Sequence, residues 1–308
     1  MNTSTDRRIA VIGLGSMGGA MAATLHQAGW QVTGFDPSES ARTAAAEAGI
    51  ATAASIEKLA GTPYAVLSLP AASVVEATVP QLLAAPGTIA IIDTTTSEPA
   101  TSKQLAELAE ARGAAFVDAP VSGGRDGAAT GTLSAFVGAT DAALAAAEPV
   151  LLALTGGKYS HIGGPGSGNV VKLLNNVLAA ANLVSVGEAL GVAKAYGIDP
   201  AKAAASISEA SGGSKVSANM YPNWVLSGTH DSGFSLGLMA RDAALAVDVA
   251  AQIGENPALL AAVAGQWQEA LAALGPRADF TEIARTVAPA ITPAGAPGTK
   301  NDTTTAVA

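Results

Sequence analysis

The chain has 308 residues, a net charge of −9 and no basic run longer than Arg7-Arg8, which argues against a nucleic-acid partner. It contains no cysteine, which excludes disulfides, thiolate metal sites and a cysteine nucleophile and fits a reducing compartment. Nearly half of the residues are apolar and few are aromatic, so the chain can bury cores for two domains, with alanine-rich helices packed closely.

The first six residues are short and polar with no apolar signal core, and no uninterrupted apolar run approaches the ~20 residues of a membrane span, so a cytoplasmic protein is expected. An apolar strand over 9–12 runs directly into Gly13-Leu14-Gly15-Ser16-Met17-Gly18. An amphipathic helix over 17–27 follows, and a second strand over 31–35 ends at Asp36. Strand, glycine turn, helix and an acidic residue about 20 positions on form a dinucleotide-binding pattern. Glycine permits the tight turn, lets the backbone approach the pyrophosphate and lets helix pack on strand, while the helix N-terminus favours phosphate charge. A glycine-rich turn that binds nothing is the competing reading, and the surrounding elements weigh against it. A carboxylate at Asp36 would accept hydrogen bonds from the ribose hydroxyls of NAD and repel the 2′-phosphate of NADP, with only Arg42 nearby to soften that, so NAD is favoured over NADP.

Further apolar runs at 64–69, 88–92 and 115–117 alternate with helical patterns, which predicts a doubly wound, mostly parallel α/β sheet. Strands at 133–137 and 159–162 frame a helix over 141–154 and complete the sheet. At 163–168 the composition turns glycine-rich and strand signals cease. The expected organisation is a Rossmann domain over 1–164, an all-helical domain over 165–288 and a disordered tail over 289–308. The proline-free run 169–196 predicts one helix roughly 40 Å long, enough to bridge two domains, followed by helices at 200–211, 215–226, 236–253 and 257–274.

Oxidation of an alcohol by a nicotinamide needs a group to exchange a proton with the reacting oxygen. Lys172 is the candidate. It and Asn176 are four apart and share a helix face, while Val171, Leu174 and Leu178 are expected to point toward the core. The alternative is a solvated surface lysine, and the position near the domain junction counts against it. Asp118-Ala119-Pro120-Val121-Ser122-Gly123-Gly124 offers successive backbone N–H groups and a hydroxyl in a flexible turn, which would hold a carboxylate or simply end a strand. Thr96, in Asp93-Thr94-Thr95-Thr96, would meet the nicotinamide or, equally with Ser97, cap the helix over 99–111. His26, His161 and His230 lack metal-ligand spacing, so no metal is expected.

Four blocks in order, 13–18, 118–124, 166–176 and the helix holding Arg241-Asp242, resemble the β-hydroxyacid dehydrogenase family over residues 8–287. The resemblance implies a Rossmann domain joined by a long interdomain helix to an all-α domain that forms a homodimer or homotetramer. It implies an NAD-dependent enzyme that interconverts a small, anionic 3-hydroxy acid and its aldehyde or ketone. Lys172 would be the catalytic lysine and Asn176 its helical partner; Ser122, Gly123 and Gly124 would bind the substrate carboxylate. Gly13, Leu14, Gly15, Ser16, Met17, Gly18 and Asp36 would bind the cofactor, with Leu69, Pro70 and Thr96 on the nicotinamide side. Arg241 stands where the family usually has lysine, so it would contact cofactor or substrate with a different geometry, or pair with Asp242 or Asp248. Imine reductases share this architecture but generally lack the lysine; a noncatalytic dinucleotide-binding protein is the reading from another class.

Overall fold

The computed structural model describes residues 6–293. The first part alternates strand and helix: β1 Arg8–Ile12, α1 Ser16–Gln27, β2 Gln31–Phe35, α2 Glu39–Glu47, β3 Ala51–Thr52, β4 Tyr64–Leu67, α3 Ala72–Leu82, β5 Ala90–Asp93, α4 Pro99–Glu110 and β6 Ala115–Asp118. Then come β7 Val121–Ser122, α5 Gly124–Thr130, β8 Ser134–Gly138, α6 Asp141–Thr155 and β9 Tyr159–Gly163. The rest is helical: α7 Ser167–Ala195, α8 Pro200–Ser208, a π-helix Val216–Val225, α9 Leu236–Gln252, α10 Ala258–Leu274 and α11 Ala284–Val287.

The strands form one sheet in the order β3-β2-β1-β4-β5-β6-β8-β7, with β9 beside β8. Pairing is parallel from β3 to β6, and β8 runs antiparallel to both β6 and β7. The central order β3-β2-β1-β4-β5-β6 is that of a Rossmann sheet. Both sheet faces are covered, which is why these strands read as continuous apolar runs. Ile9, Val11, Tyr64, Val66 and Ile92 enter one core cluster, and Ala10, Ile12, Ala65, Leu67 and Ile91 enter another.

Two compact units emerge. One holds the chain up to Asn175 together with Asp248–Glu255; the other holds Asn176–Val247 and the chain from Asn256 onward. The second unit has its own core around Trp267, Tyr221, Leu183 and Phe280, with the Tyr221 hydroxyl and the Trp267 indole N–H satisfied by the Leu183 and Ala180 carbonyls. Among the described residues α7 is the one helix long and apolar enough to cross a membrane by length and composition, yet its Leu173, Val177, Leu183 and Leu190 are buried in protein.

Several expectations are corrected. Leu174 and Leu178 do not face the core: they are 42% and 57% exposed, and Leu173 and Val177 are buried instead, so the apolar stripe of α7 is rotated by one residue. The segment expected as an α-helix over 215–226 is a π-helix containing Pro222, whose ring nitrogen cannot donate to an i−4 carbonyl. The tail expected from 289 begins packed, with Ile291 buried in the helical core; 294–308 lie outside the described residues.

Candidate active site

Register across the sheet aligns Ile12 with Leu67, Leu67 with Asp93 and Asp93 with Asp118. The segments that follow these residues therefore leave from one carboxyl edge, where open α/β sheets bind ligands. After Ile12 comes the glycine turn. Gly13 has a φ of +90° and packs so closely on the Ser68 carbonyl that no side chain fits, and a side chain at Gly18 would strike the Gly13 carbonyl. At Gly15, by contrast, a Cβ would meet nothing within 4 Å. Gly15 caps α1 with no side-chain hydrogen bond, leaving the backbone N–H groups of the first turn, at Ser16, Met17 and Gly18, as the donors of the helix N-terminus. Two glycines build the turn and the third keeps its approach open, which is the form a pyrophosphate cradle requires.

Asp36, half-buried at the end of β2, is fixed through both oxygens: Oδ2 accepts the Leu14 N–H at 2.8 Å and Oδ1 the Ser38 N–H at 2.8 Å. Arg42 donates to the carbonyls of Asp36 and Pro37 at 2.6 and 3.0 Å, so its guanidinium is anchored to the backbone of the segment that carries Asp36.

Beyond β4, the Leu69 N–H donates to Thr95 Oγ1 at 3.1 Å, and Thr94 Oγ1 donates to the Leu67 carbonyl at 2.7 Å. Thr94 and Thr95 thus hold the two loops together. Leu69 and Thr96 are half-buried and Pro70 is exposed. Neither Thr96 nor Ser97 caps α4, contrary to the alternative expected for them: the cap residue is Glu98, with Pro99 in the first turn. Below Thr95, Asp93 is fully buried. Its Oδ1 accepts the Thr95 N–H at 2.9 Å, while its Oδ2 has no hydrogen-bond partner. Burial pushes its carboxyl up to about 7, against the Thr95 hydrogen bonds and with help from nearby Asp118.

The 118–124 segment is more ordered than the flexible turn expected. Val121 and Ser122 form β7, paired with Ala135 and Ser134, and Gly123 and Gly124 adopt φ of +126° and +62° to enter α5. Ser122, Gly123, Gly124 and Arg125 are exposed, and α5 starts without a side-chain cap. The segment starts at Asp118, which is completely buried. Its Oδ1 accepts the Gly166 N–H at 2.7 Å and its Oδ2 the Asn169 N–H at 3.0 Å, at the start of α7. Burial pushes this carboxyl too up to about 7, while the backbone donors pull it down.

Asn169 is fully buried and ties α7 to the sheet edge: Oδ1 accepts the Ser97 N–H at 2.9 Å and Nδ2 donates to Ser102 Oγ at 3.0 Å. One turn further along α7 stands Lys172, half-buried rather than solvated. Four residues on, in the second unit, Asn176 is buried and donates from Nδ2 to Oδ2 of Asp242 at 2.7 Å. Asp242 is also buried, and its Oδ1 accepts from Nε and Nη2 of Arg241 at 3.0 and 2.8 Å. The expected pairing of Arg241 with Asp242 is thus present, with the carboxylate of Asp242 buried. A carboxylate only accepts, so Asp242 fixes the amide of Asn176 with its oxygen turned away.

Sequence reading left three residues without a role. Asp118 and Asn169 lie inside blocks it singled out, but the hydrogen bonds joining them span 48 to 72 residues and no local pattern announces them. Asp242 was named only as a partner for Arg241. His161 Nε2 bonds the Ala139 carbonyl and His230 Nδ1 bonds Thr281, while His26 is exposed.

Two family models match the chain. Residues 8–163 match the NAD binding domain of 6-phosphogluconate dehydrogenase, and residues 166–287 match the NAD-binding region of NADP-dependent 3-hydroxyisobutyrate dehydrogenase. The 2-(hydroxymethyl)glutarate dehydrogenase of Eubacterium barkeri is 33% identical over 87% of this chain and 90% of its own. The chain belongs to the β-hydroxyacid dehydrogenase family. A solved structure of Mycobacterium tuberculosis 3-hydroxyisobutyrate dehydrogenase with L-serine superposes with a TM-score of 0.84 at 32% identity, covering 91% of this chain and 99% of that one. An imine reductase of Streptomyces aurantiacus has a TM-score of 0.61 at 24% identity over 91% of this chain and 99% of its own, which shows a shared fold and nothing more. The cofactor of this family member is NAD.

Proposed function

We propose that this protein oxidises the hydroxyl of a small, anionic 3-hydroxy acid, or reduces the corresponding aldehyde or ketone, with Lys172 as the general acid/base. The observation that carries the proposal is the joint placement on one helix of half-buried Lys172 and, one turn on, buried Asn176 with its amide oriented by Asp242. In oxidation the amine of Lys172 accepts the hydroxyl proton, and in reduction it returns that proton to the carbonyl oxygen. Bound NAD supplies the hydride acceptor. Asn176 orients the amine or the reacting hydroxyl.

Ser122 and the backbone N–H groups of Gly123 and Gly124 hold the substrate carboxylate, a role supported by the uncapped start of α5 and the two positive φ values. Arg241, fixed by Asp242, adds positive charge toward cofactor or substrate. Leu69, Pro70 and Thr96 face the nicotinamide. The functional division falls at 164/165, and the enzyme works in the cytoplasm as a homodimer or homotetramer, consistent with exposed Leu174, Leu178, Val192 and Tyr196 on and after α7. Light scattering of the purified protein checks the oligomer.

The test is a panel of small 3-hydroxy acids with NAD and NADP side by side, following initial rates of reduced-nicotinamide formation. Turnover with NAD on a 3-hydroxy acid is the expected result. Silence on every hydroxy acid with activity on cyclic imines would refute the proposal.

A further inference from the structure

Asp118 touches none of the groups given a role above, yet the chain invests heavily in it. It is completely buried at the last position of β6, and it grips the start of α7 with both carboxylate oxygens, Oδ1 on Gly166 and Oδ2 on Asn169. Space for the carboxylate is cleared by two glycines. A Cβ at Gly138 on β8 would sit 2.5 Å from its Oδ1, and one at Gly168 on α7 would sit 2.8 Å from its Oδ2.

Three of the other helices are capped by the side chain of the residue immediately before them: Ser38 for α2, Thr140 for α6 and Asp199 for α8. Such local caps satisfy the first N–H groups without tying the helix to anything else. The cap of α7 comes from a strand end 48 residues away, so it fixes the helix to the sheet edge. Asn169 adds two more links, to the loop after β5 and to α4 through Ser97 and Ser102. A carboxylate also suits the positive end of the helix.

What stands directly above this clamp is Lys172. Asn169 and Lys172 are three residues apart, about 4.5 Å of helix rise, so displacement of the first turn carries Lys172 with it. A shift near 1 Å in a catalytic group is enough to cost about 100-fold in rate.

We propose that Asp118 is a positioning residue for the proton transfer assigned to Lys172, acting as the buried cap that fixes the first turns of α7 to the carboxyl edge of the sheet. The inference rests on the general acid/base role of Lys172. It requires an acceptor on both sides of residue 118, because Asn in that place would aim an amide N–H at one of the two backbone donors.

The test compares Asp118→Asn, Ser102→Ala and Lys172→Ala with the wild-type protein, measuring kcat, KM, NAD affinity and the solvent deuterium isotope effect on kcat. For Asp118→Asn the expected result is a fall in kcat of at least tenfold and a larger solvent isotope effect, with KM and NAD affinity within threefold of wild type. A merely structural role would lower the active fraction without changing the isotope effect. Wild-type kcat and isotope effect in Asp118→Asn, or a loss of active protein with an unchanged isotope effect, overturns the inference. Should Asp118→Asn fail to fold, Ser102→Ala decides: it removes the acceptor for Asn169 and leaves Asp118 intact. A two- to fivefold fall in its kcat at constant KM supports the clamp, and an unchanged kcat overturns it. Turnover by Lys172→Ala would instead sink the underlying lysine role, whereas an inactive Lys172→Ala beside a normal Asp118→Asn sinks the clamp alone.

Discussion

Replacing two glycines of the same turn by alanine should produce two different failures. At Gly18 a methyl group would collide with the Gly13 carbonyl and sit 3.1 Å from the Ser68 Cβ, so β1 and α1 must move apart. Overpacking of this kind costs about 1–3 kcal/mol. At that size a chain of this length loses roughly 2–6 °C in Tm. At Gly15 the methyl group meets nothing within 4 Å and the backbone φ of −65° suits any residue. Stability there should stay within about 0.5 kcal/mol of wild type, the range for substitutions away from packed features. NAD affinity should nevertheless fall at least tenfold, about 1.4 kcal/mol, because the methyl group occupies the approach of the pyrophosphate. Thermal unfolding without ligand and calorimetric titration with NAD separate the two effects. Wild-type NAD affinity in Gly15→Ala, or wild-type stability in Gly18→Ala, would refute the assignment of turn and cradle.

Asp36→Asn removes the charge beside anchored Arg42, and the ratio of kcat/KM for NADP over NAD should rise at least tenfold, about 1.4 kcal/mol; an unmoved ratio in steady-state assays would show that Asp36 does not select the cofactor. The folded state holds a proton on Asp93 more tightly than the unfolded chain does, because burial raises this carboxyl from 3.8 to about 7. That stabilisation is complete below about pH 4 and is lost as pH rises through 7, with a ceiling of roughly 4 kcal/mol. Asp93→Asn should therefore flatten about half of the decline in denaturant stability between pH 4.5 and 7.5, with Asp118, raised to the same value, keeping the rest; an unchanged slope contradicts this. Asp242→Asn breaks the paired contacts to Arg241 and disturbs the amide of Asn176, so it should cost about 2 kcal/mol in urea denaturation and lower kcat at nearly constant NAD affinity. Wild-type kcat in that variant would show that orientation of Asn176 is dispensable.

The sequence made legible what local chemistry controls. Strands buried on both faces read as apolar runs, and the glycine turn announced itself because Gly13 and Gly18 admit no other residue. Elements with weak local signals escaped: α2 buries only Ala45, α3 carries Pro80 inside it, and α5 is seven residues with two glycines. The face of α7 was misjudged because its stripe is crowded with leucine, valine and alanine, and tertiary packing chooses Leu173 and Val177 over Leu174 and Leu178. Within the site, Lys172 and Asn176 stood out by their spacing on a helix. The residues that hold them, Asp118, Asn169 and Asp242, act through bonds spanning 48 to 72 residues, which no periodicity encodes.

The most direct test of the account is a comparison of Lys172→Ala with the wild-type protein at saturating NAD and 3-hydroxy acid. Turnover reduced at least about a hundredfold, with NAD affinity within about twofold, is the predicted result and matches the contribution of roughly 10²–10⁴ expected of a positioned general base. Turnover near the wild-type rate would contradict it.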